Sequence, residues 1–306
     1  MKGIVIKSTG SWYMVRTSDG AVHACRLKGK FRLKGIKHTN PVTVGDKVSF
    51  EFEPESHNGV IDAIDDRKNY IIRKANNLSK QTHIIASNLD QTMLIVTLAF
   101  PRTSLGFIDR FIITSEAYHI PTILVFNKCD LMTGEIESIL DHTIRLYQGI
   151  GYKCLKTSTV SGEGIEELKA TLKDKTSLLS GHSGVGKSTL LNHIEPSLNI
   201  KTKAISNYSL KGQHTTTFAE MHPLSFGGYI IDTPGIREFG LVDFKDAEVS
   251  HYFKEMQPII GQCKYNNCKH VNEPGCAIQQ AVTEGRISEE RFSSYLSIIS
   301  NEDIYE

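Results

Sequence analysis

Tryptophan occurs once in these 306 residues, cysteine six times and proline nine times, and acidic and basic side chains nearly cancel, 34 against 35. Six cysteines in a chain this long do not make a secreted disulfide scaffold. The near-zero charge balance says nothing about partners, so only the distribution of charge can inform. Long apolar runs are missing too. The longest, TMLIVTLAF at 92–100 and TILVF at 122–126, are strand-sized and far short of the roughly 18–20 residues of a membrane helix. The opening MKGIVIKSTGSW carries no long apolar signal core. These absences lead us to expect a cytoplasmic protein with no membrane partner. A hydrophobic share of 40% is ample for about two compact domains and a small satellite.

The pattern changes twice along the chain. Up to about residue 70, short strand-like runs bounded by Gly, Asn, Asp or Pro (GIVIKSTGSWYMVRT, AVHACRLKGKFRL, VGDKVSFEFE, GVIDAID) predict a small barrel. From about 80 to 238, strands alternate with helical stretches, the rhythm of a parallel sheet with crossover helices. Beyond 240 the strand pattern ends, and DAEVSHYFKEMQPII and EERFSSYLSIIS predict amphipathic helices on either side of a Cys/His cluster.

GHSGVGKST at 181–189 fits the phosphate-loop pattern between a strand-like TSLL and a helix-like TLLNHI. Gly181, Ser183, Gly184, Val185 and Gly186 supply a loop whose amides can turn inward, through to Thr189, around phosphates at a helix N-terminus. Lys187 would reach the β- and γ-phosphates, and the Ser188 hydroxyl would ligate magnesium. The loop alone does not choose between ATP and GTP. VFNKCD at 125–130 does, because the Asp130 carboxylate can accept from the two adjacent donors on the edge of guanine, a pair adenine lacks. Asn127 would brace that site, Lys128 would lie along the ring, and Ser158 and Thr159 in TSTVSGEG are placed to donate to the guanine carbonyl. YIIDTPGI at 229–236 adds Asp232, at a strand end where it can hold the magnesium through water, and Gly235, whose amide can meet the γ-phosphate. GQHTTT at 212–217 offers a threonine hydroxyl for the metal while a γ-phosphate is present, and we choose Thr216. Ile236 follows the DTPG run and cannot orient water, so His214 becomes the candidate for positioning the attacking water, with Arg237 a weaker candidate for an in-cis finger.

The guanine reader precedes the phosphate loop, the reverse of the usual order. On a circle nothing is missing: strands near 92–98, 122–126, 153–157, 176–180, 216–221 and 228–232 complete a six-stranded sheet, and the domain is circularly permuted, its old ends joined by KDKTS. Cys263, Cys268, His270 and Cys276 form C-x4-C-x-H-x5-C, enough to close the tetrahedral shell of a structural zinc with no position left for water. Cys25, Cys129 and Cys154 read as reduced packing residues.

The motif order, GQHTTT, DTPGIREFG and CKYNNCKHVNEPGC resemble the ribosome small-subunit-dependent GTPase A (RsgA, or YjeQ) family across essentially the whole chain. The resemblance implies an OB-fold β-barrel over 1–70, a circularly permuted P-loop GTPase domain of Rossmann-like α/β form over 71–238 and a helical zinc-binding domain over 239–306. It also implies action in late maturation of the small (30S) ribosomal subunit, with ribosomal RNA as partner and turnover stimulated by the subunit. In CRLKGKFRLKG the basic residues at 26, 28, 30, 32 and 34 alternate with Leu27, Gly29, Phe31 and Leu33, so a strand would put every charge on one face, with Phe31 or Trp12 available to stack on a base. A guanine-nucleotide-sensing RNA-binding protein with little catalysis remains the alternative, and a monomer is expected because nothing demands a dimer.

Overall fold

The computed structural model describes residues 1–28, 41–53, 58–74, 82–200, 219–232 and 246–300. Five strands, β1 (Lys2–Ser8), β2 (Tyr13–Thr17), β3 (Val22–Leu27), β4 (Lys47–Phe52) and β5 (Gly59–Ile64), form the predicted barrel in the order β1-β2-β3-β5-β4, and β4 closes back on β1. All pairs are antiparallel except β3 with β5. Alternation builds its interior: Tyr13 and Val15 of β2 point inward to meet Val5, Cys25, Val48, Phe50 and Ile61.

A hairpin of β6 (Tyr70–Lys74) and β7 (Thr82–Ser87) leads out of the barrel. Its attachment is polar: Arg67 grips both carboxylate oxygens of Asp46 at 2.7 Å, and that carboxylate also accepts from the Ser87 hydroxyl at 2.6 Å and the Thr43 amide at 2.8 Å. Asp46 is buried and fully partnered, so the link is rigid.

The large sheet follows: β8 (Gln91–Val96), α1 (Leu105–Ala117), β9 (Thr122–Asn127), α2 (Glu135–Gly149), β10 (Lys153–Thr157), α3 (Ile165–Leu172), β11 (Thr176–Ser180), α4 (Lys187–Ile194), β12 (Glu220–Pro223) and β13 (Tyr229–Asp232). Strand order is β10-β9-β8-β11-β13-β12, parallel except for the β12–β13 pair. These are the six expected strands; β8 stops at Val96, and of the strand expected over 216–221 only the part from Glu220 onward is seen, since 216–218 lie outside the described residues. Every residue of β8 and β9 is buried because helices cover both faces. Leu94 and Val96 pack with Phe107, Phe111 and Tyr147 of α1 and α2, while Met93 and Ile95 meet Ile165, Leu168 and Leu190 of α3 and α4. Among the described residues, one register pair, Lys7 with Glu220, joins the barrel to this sheet, and the two side chains bridge at 3.1 Å.

The C-terminal module has α5 (Asp246–Val249), α6 (Ala277–Thr283) and α7 (Glu289–Ile299). The long helix expected at 246–260 does not form. Only its first turn is α-helical; Ser250–Tyr252 tighten to a 3-10 turn and Phe253 leaves helical geometry at φ −89° and ψ 107°. Val249, Phe253, Met256 and Ile259 still all enter the core, because successive turns present them as a helix would have done. Ile113 of α1 belongs to this same core, so the module is docked on the sheet domain rather than tethered beside it.

Candidate functional site

The carboxyl ends of parallel strands are where open α/β sheets bind ligands, and four of the expected pieces lie there side by side. Asn127 ends β9, Thr157 ends β10, Ser180 leads from β11 into the phosphate loop, and Asp232 ends β13, in register with Leu179. Asp130 and Lys187, 57 positions apart by subtraction of their numbers, therefore share one edge of the sheet.

Asn127 is the joint between the guanine motif and the phosphate loop. It is buried, its Nδ2 donates to the Val185 carbonyl at 2.8 Å, and its Oδ1 accepts from the Thr157 hydroxyl at 3.0 Å. Gly186 is required at this contact: φ is +92°, and a Cβ there would stand 2.6 Å from Asn127 Nδ2. Lys128 takes a left-handed conformation, φ +62°, which turns its side chain back over the loop, and its ammonium donates to the Gly184 carbonyl at 2.7 Å and the Phe100 carbonyl at 2.8 Å. Asp130 follows in a 3-10 turn over Cys129–Leu131 and accepts from the Ser158 hydroxyl at 2.5 Å. Ser158 is buried and also receives the amides of Val160 and Ser161, both at 3.1 Å, so its side chain braces Asp130 while half-buried Thr159 lies beside it.

In the phosphate loop, Ser183, Gly184 and Thr189 are exposed, Gly181, Gly186, Lys187 and Ser188 half-buried and Val185 buried as the loop's anchor. The Lys187 ammonium folds onto the Gly181 and His182 carbonyls at 2.6 and 2.8 Å. Burial lowers its pKa and the neighbouring Asp232 charge opposes that shift, so the nearby acid helps keep a half-sequestered lysine cationic. The hydroxyl of Ser188 and the carboxylate of Asp232 are both hard oxygen donors, the chemistry magnesium takes. His214, Thr216, Gly235, Ile236 and Arg237 lie outside the described residues.

In the C-terminal module, one ligand atom each from Cys263, Cys268, His270 and Cys276 lie within 4.8 Å of one another. His270 Nδ1 is 3.4 Å from Cys276 Sγ and 3.5 Å from Cys263 Sγ, and the two sulfurs are 3.9 Å apart. A tetrahedral ion with metal–sulfur and metal–nitrogen bonds of about 2.3 and 2.0 Å sets edges of about 3.8 and 3.5 Å, so the four residues fit a metal ion. Gln279 supports the cluster from α6, its amide N–H on Cys276 Sγ at 3.5 Å and its side chain on the Val271 carbonyl at 2.6 Å.

Comparison with known proteins agrees with this geometry. Residues 64–242 match the model of the RsgA GTPase family and residues 2–61 that of the RsgA N-terminal domain. The chain belongs to the RsgA GTPase family. Among its relatives, the small ribosomal subunit biogenesis GTPase RsgA of Flavobacterium psychrophilum is 54% identical over 99% of this chain and 94% of its own length, and that of Bacteroides fragilis is 53% identical over 99% and 97%. Two crystal structures superpose over 98% of the chain: YjeQ from Thermotoga maritima, TM-score 0.78, 36% identical and covered over 97%, and YloQ, described as a circularly permuted GTPase, TM-score 0.74, 27% identical and covered over 94%. The permuted RsgA order, the N-terminal barrel and the C-terminal Cys/His cluster thus occur together in this chain.

Several expectations about this RsgA family member concern its surface. Of the alternating basic run, Arg26 and Lys28 are exposed, but Arg26 is ion-paired with Glu53; residues 30, 32 and 34 and Phe31 lie outside the described residues. Trp12 is exposed at the β1–β2 turn. The thiols of Cys25, Cys129 and Cys154 are free, and burial pushes their pKa values up to about 11, 11 and 12, which favours the protonated thiol in each. Among the described residues, no helix is long and apolar enough to cross a membrane. Reasoning from the sequence misses Thr157 as the clamp on Asn127, and Phe107, whose ring lies 3.9 Å from that of His182. Thr157 could have been noticed as the residue just ahead of the base loop; Phe107 could not, since one apolar position on a helix resembles every other.

Proposed function

We propose that this chain binds guanine nucleotide between the Asn127–Asp130 motif and the 181–189 loop, hydrolyses GTP to GDP and phosphate, and does so as an assembly factor of the small ribosomal subunit. One observation carries the nucleotide site: Asn127 Nδ2 on the Val185 carbonyl at 2.8 Å, which locks the base reader to the phosphate cradle so that a single nucleotide can span both. Asp130 reads the base, held by Ser158; Lys128 spans the guanine side and the loop; Thr159 and its neighbours face the guanine carbonyl. The amides of Gly181 through Thr189 receive the phosphates, and the Lys187 ammonium exchanges its carbonyl partners for phosphate oxygens, where it neutralises charge as water attacks in line. Ser188, Thr216 and, through water, Asp232 would hold magnesium, which when bound would supply further neutralisation of phosphate charge. Gly235 meets the γ-phosphate and His214 orients the water, a role that Ile236, directly after DTPG, leaves open.

In this reading 1–70 is the RNA-binding barrel, 71–238 the catalytic domain and 239–306 a helical domain stapled by one structural zinc through Cys263, Cys268, His270 and Cys276. Three thiolates with one imidazole favour zinc over harder cations and leave no coordination position for water. The names of its relatives support the small ribosomal subunit as partner; contact with its ribosomal RNA, a cytoplasmic location and a monomeric state complete the reading. GTP hydrolysis measured with and without purified small subunits tests the whole: slow turnover alone and a many-fold rise with subunits is expected, and no stimulation rejects the assembly role. His214→Ala should abolish the stimulated rate; an unimpaired variant clears that residue.

A further inference from the structure

Helix α1 is shared by the nucleotide site and the C-terminal module, and the sharing is specific. Toward its N-terminus, Phe107 lays its ring on His182 of the phosphate loop, centroids 3.9 Å apart and planes tilted by 34°. The carbonyl of that same His182 is one of the two acceptors that hold the Lys187 ammonium. The turn leading into α1 touches the loop twice more: the Phe100 carbonyl shares Lys128 with the Gly184 carbonyl, and Pro101 packs so near Gly184 that a Cβ there would lie 3.4 Å from its Cδ.

Two residues beyond Phe107, about 3 Å along the helix axis, Asp109 is buried and ion-paired to Arg291 of α7. Both are only 1% exposed at the side chain. Asp109 also accepts from the Tyr147 hydroxyl of α2 at 2.6 Å, and Arg291 donates from Nε and Nη2 to Glu255 at 2.6 and 3.2 Å, with its guanidinium 4.6 Å over the Phe253 ring. Toward the far end of α1, Glu116 pairs with Lys254 at 2.9 Å. The module therefore grips α1 near both ends, and Ile113 between them is packed into the module's own core. A desolvated guanidinium pinned by two carboxylates is a rigid coupling, since displacement would strand charge in an apolar setting.

We infer that Arg291 is a positioning residue for the phosphate loop: through Asp109 it fixes α1, and through Phe107 and His182 it fixes the carbonyl that places Lys187. Docking of the C-terminal module and nucleotide affinity are then two readings of one coupling, and anything that loosens the module weakens nucleotide binding. This rests on the nucleotide reading of the 181–189 loop given above.

The test is a double-mutant cycle in the full-length protein, read by titration with GDP carrying a fluorescent group on its ribose. One arm removes the buried charges together, Arg291→Met/Asp109→Asn/Glu255→Gln, so that no ion is left unpaired; the other is His182→Ala; the third combines them. The charge-neutral variant is expected to bind GDP about tenfold more weakly, and His182→Ala to cost far less in that background than it costs in the parent. Arg291→Lys, which keeps the charge but loses the fork onto Glu255, runs the same cycle in milder form should the triple variant fail to fold. Parental GDP affinity in a folded variant of either kind, or penalties that simply multiply, would overturn the inference and leave Arg291 a structural residue whose loss lowers the melting temperature only. If the parent itself binds no GDP, the reading of the site has failed instead.

Discussion

Replacing Asn127 by alanine should damage fold and site together, and the structure sets the size. The side chain is 3% exposed and makes two hydrogen bonds, to the Val185 carbonyl at 2.8 Å and from the Thr157 hydroxyl at 3.0 Å. Thr157 can turn its hydroxyl to the Phe126 carbonyl, already at 3.4 Å, so it is not stranded. Val185 is fully buried and loses its side-chain donor, at about 2 kcal/mol, and the void left by the amide adds about 1 kcal/mol. For a domain of this size about 3 kcal/mol lowers the melting temperature by about 6–12 °C. The same change frees Gly186 and Val185 from the base motif, so stabilisation by GDP, about 2.7 kcal/mol at a hundred times Kd in the parent, should largely vanish at that concentration. Thermal melts with and without GDP read both effects. Asn127→Asp, which sets a carboxylate against the Val185 carbonyl, should be at least as harmful. A melting temperature within 1 °C of the parent (~0.3 kcal/mol), or undiminished GDP stabilisation, would refute the claim that this amide joins the two halves of the site.

Three further outcomes follow from the same geometry. Asp130→Asn reverses a hydrogen-bond partner and should exchange preference for GTP for preference for XTP, whose ring carries a carbonyl where guanine has an amine; competition binding with both decides it. Chelation, or Cys276→Ser, should release one metal ion per chain and unfold the 246–300 module first, seen as loss of the Phe253–Tyr295 ring contact in near-ultraviolet circular dichroism; acid should do the same, since thiolates and imidazole must shed protons to bind, and metal that stays bound in the variant contradicts the assignment. Lys187 has its pKa lowered from 10.5 by burial in the free protein, and phosphates must raise it again. Nucleotide binding at alkaline pH should therefore take up protons, and affinity should fall as pH rises through the free-protein value toward 10.5, measured by calorimetry in buffers of different ionisation enthalpy; proton release would contradict the contact.

The parts of this molecule that could be read from the chain were those where chemistry requires particular residue types at fixed spacing. GHSGVGKST, NKCD and C-x4-C-x-H-x5-C each work within one short segment, and the strands beside them are buried on both faces and so appear as plain apolar runs. The helix expected over 246–260 illustrates the limit, because an apolar repeat every three or four residues suits a chain of turns packed on one core as well as it suits a helix.

Local sequence determined the motif set, the six-stranded sheet and the circular order in which they must close, because those depend on neighbours in the chain. Only tertiary structure decided that Ser158 braces Asp130, that Thr157 clamps Asn127, and that Asp109 is a partner for Arg291 across 182 positions. A buried polar group must find a partner wherever the fold brings one, and the sequence carries the need for that partner but not its address.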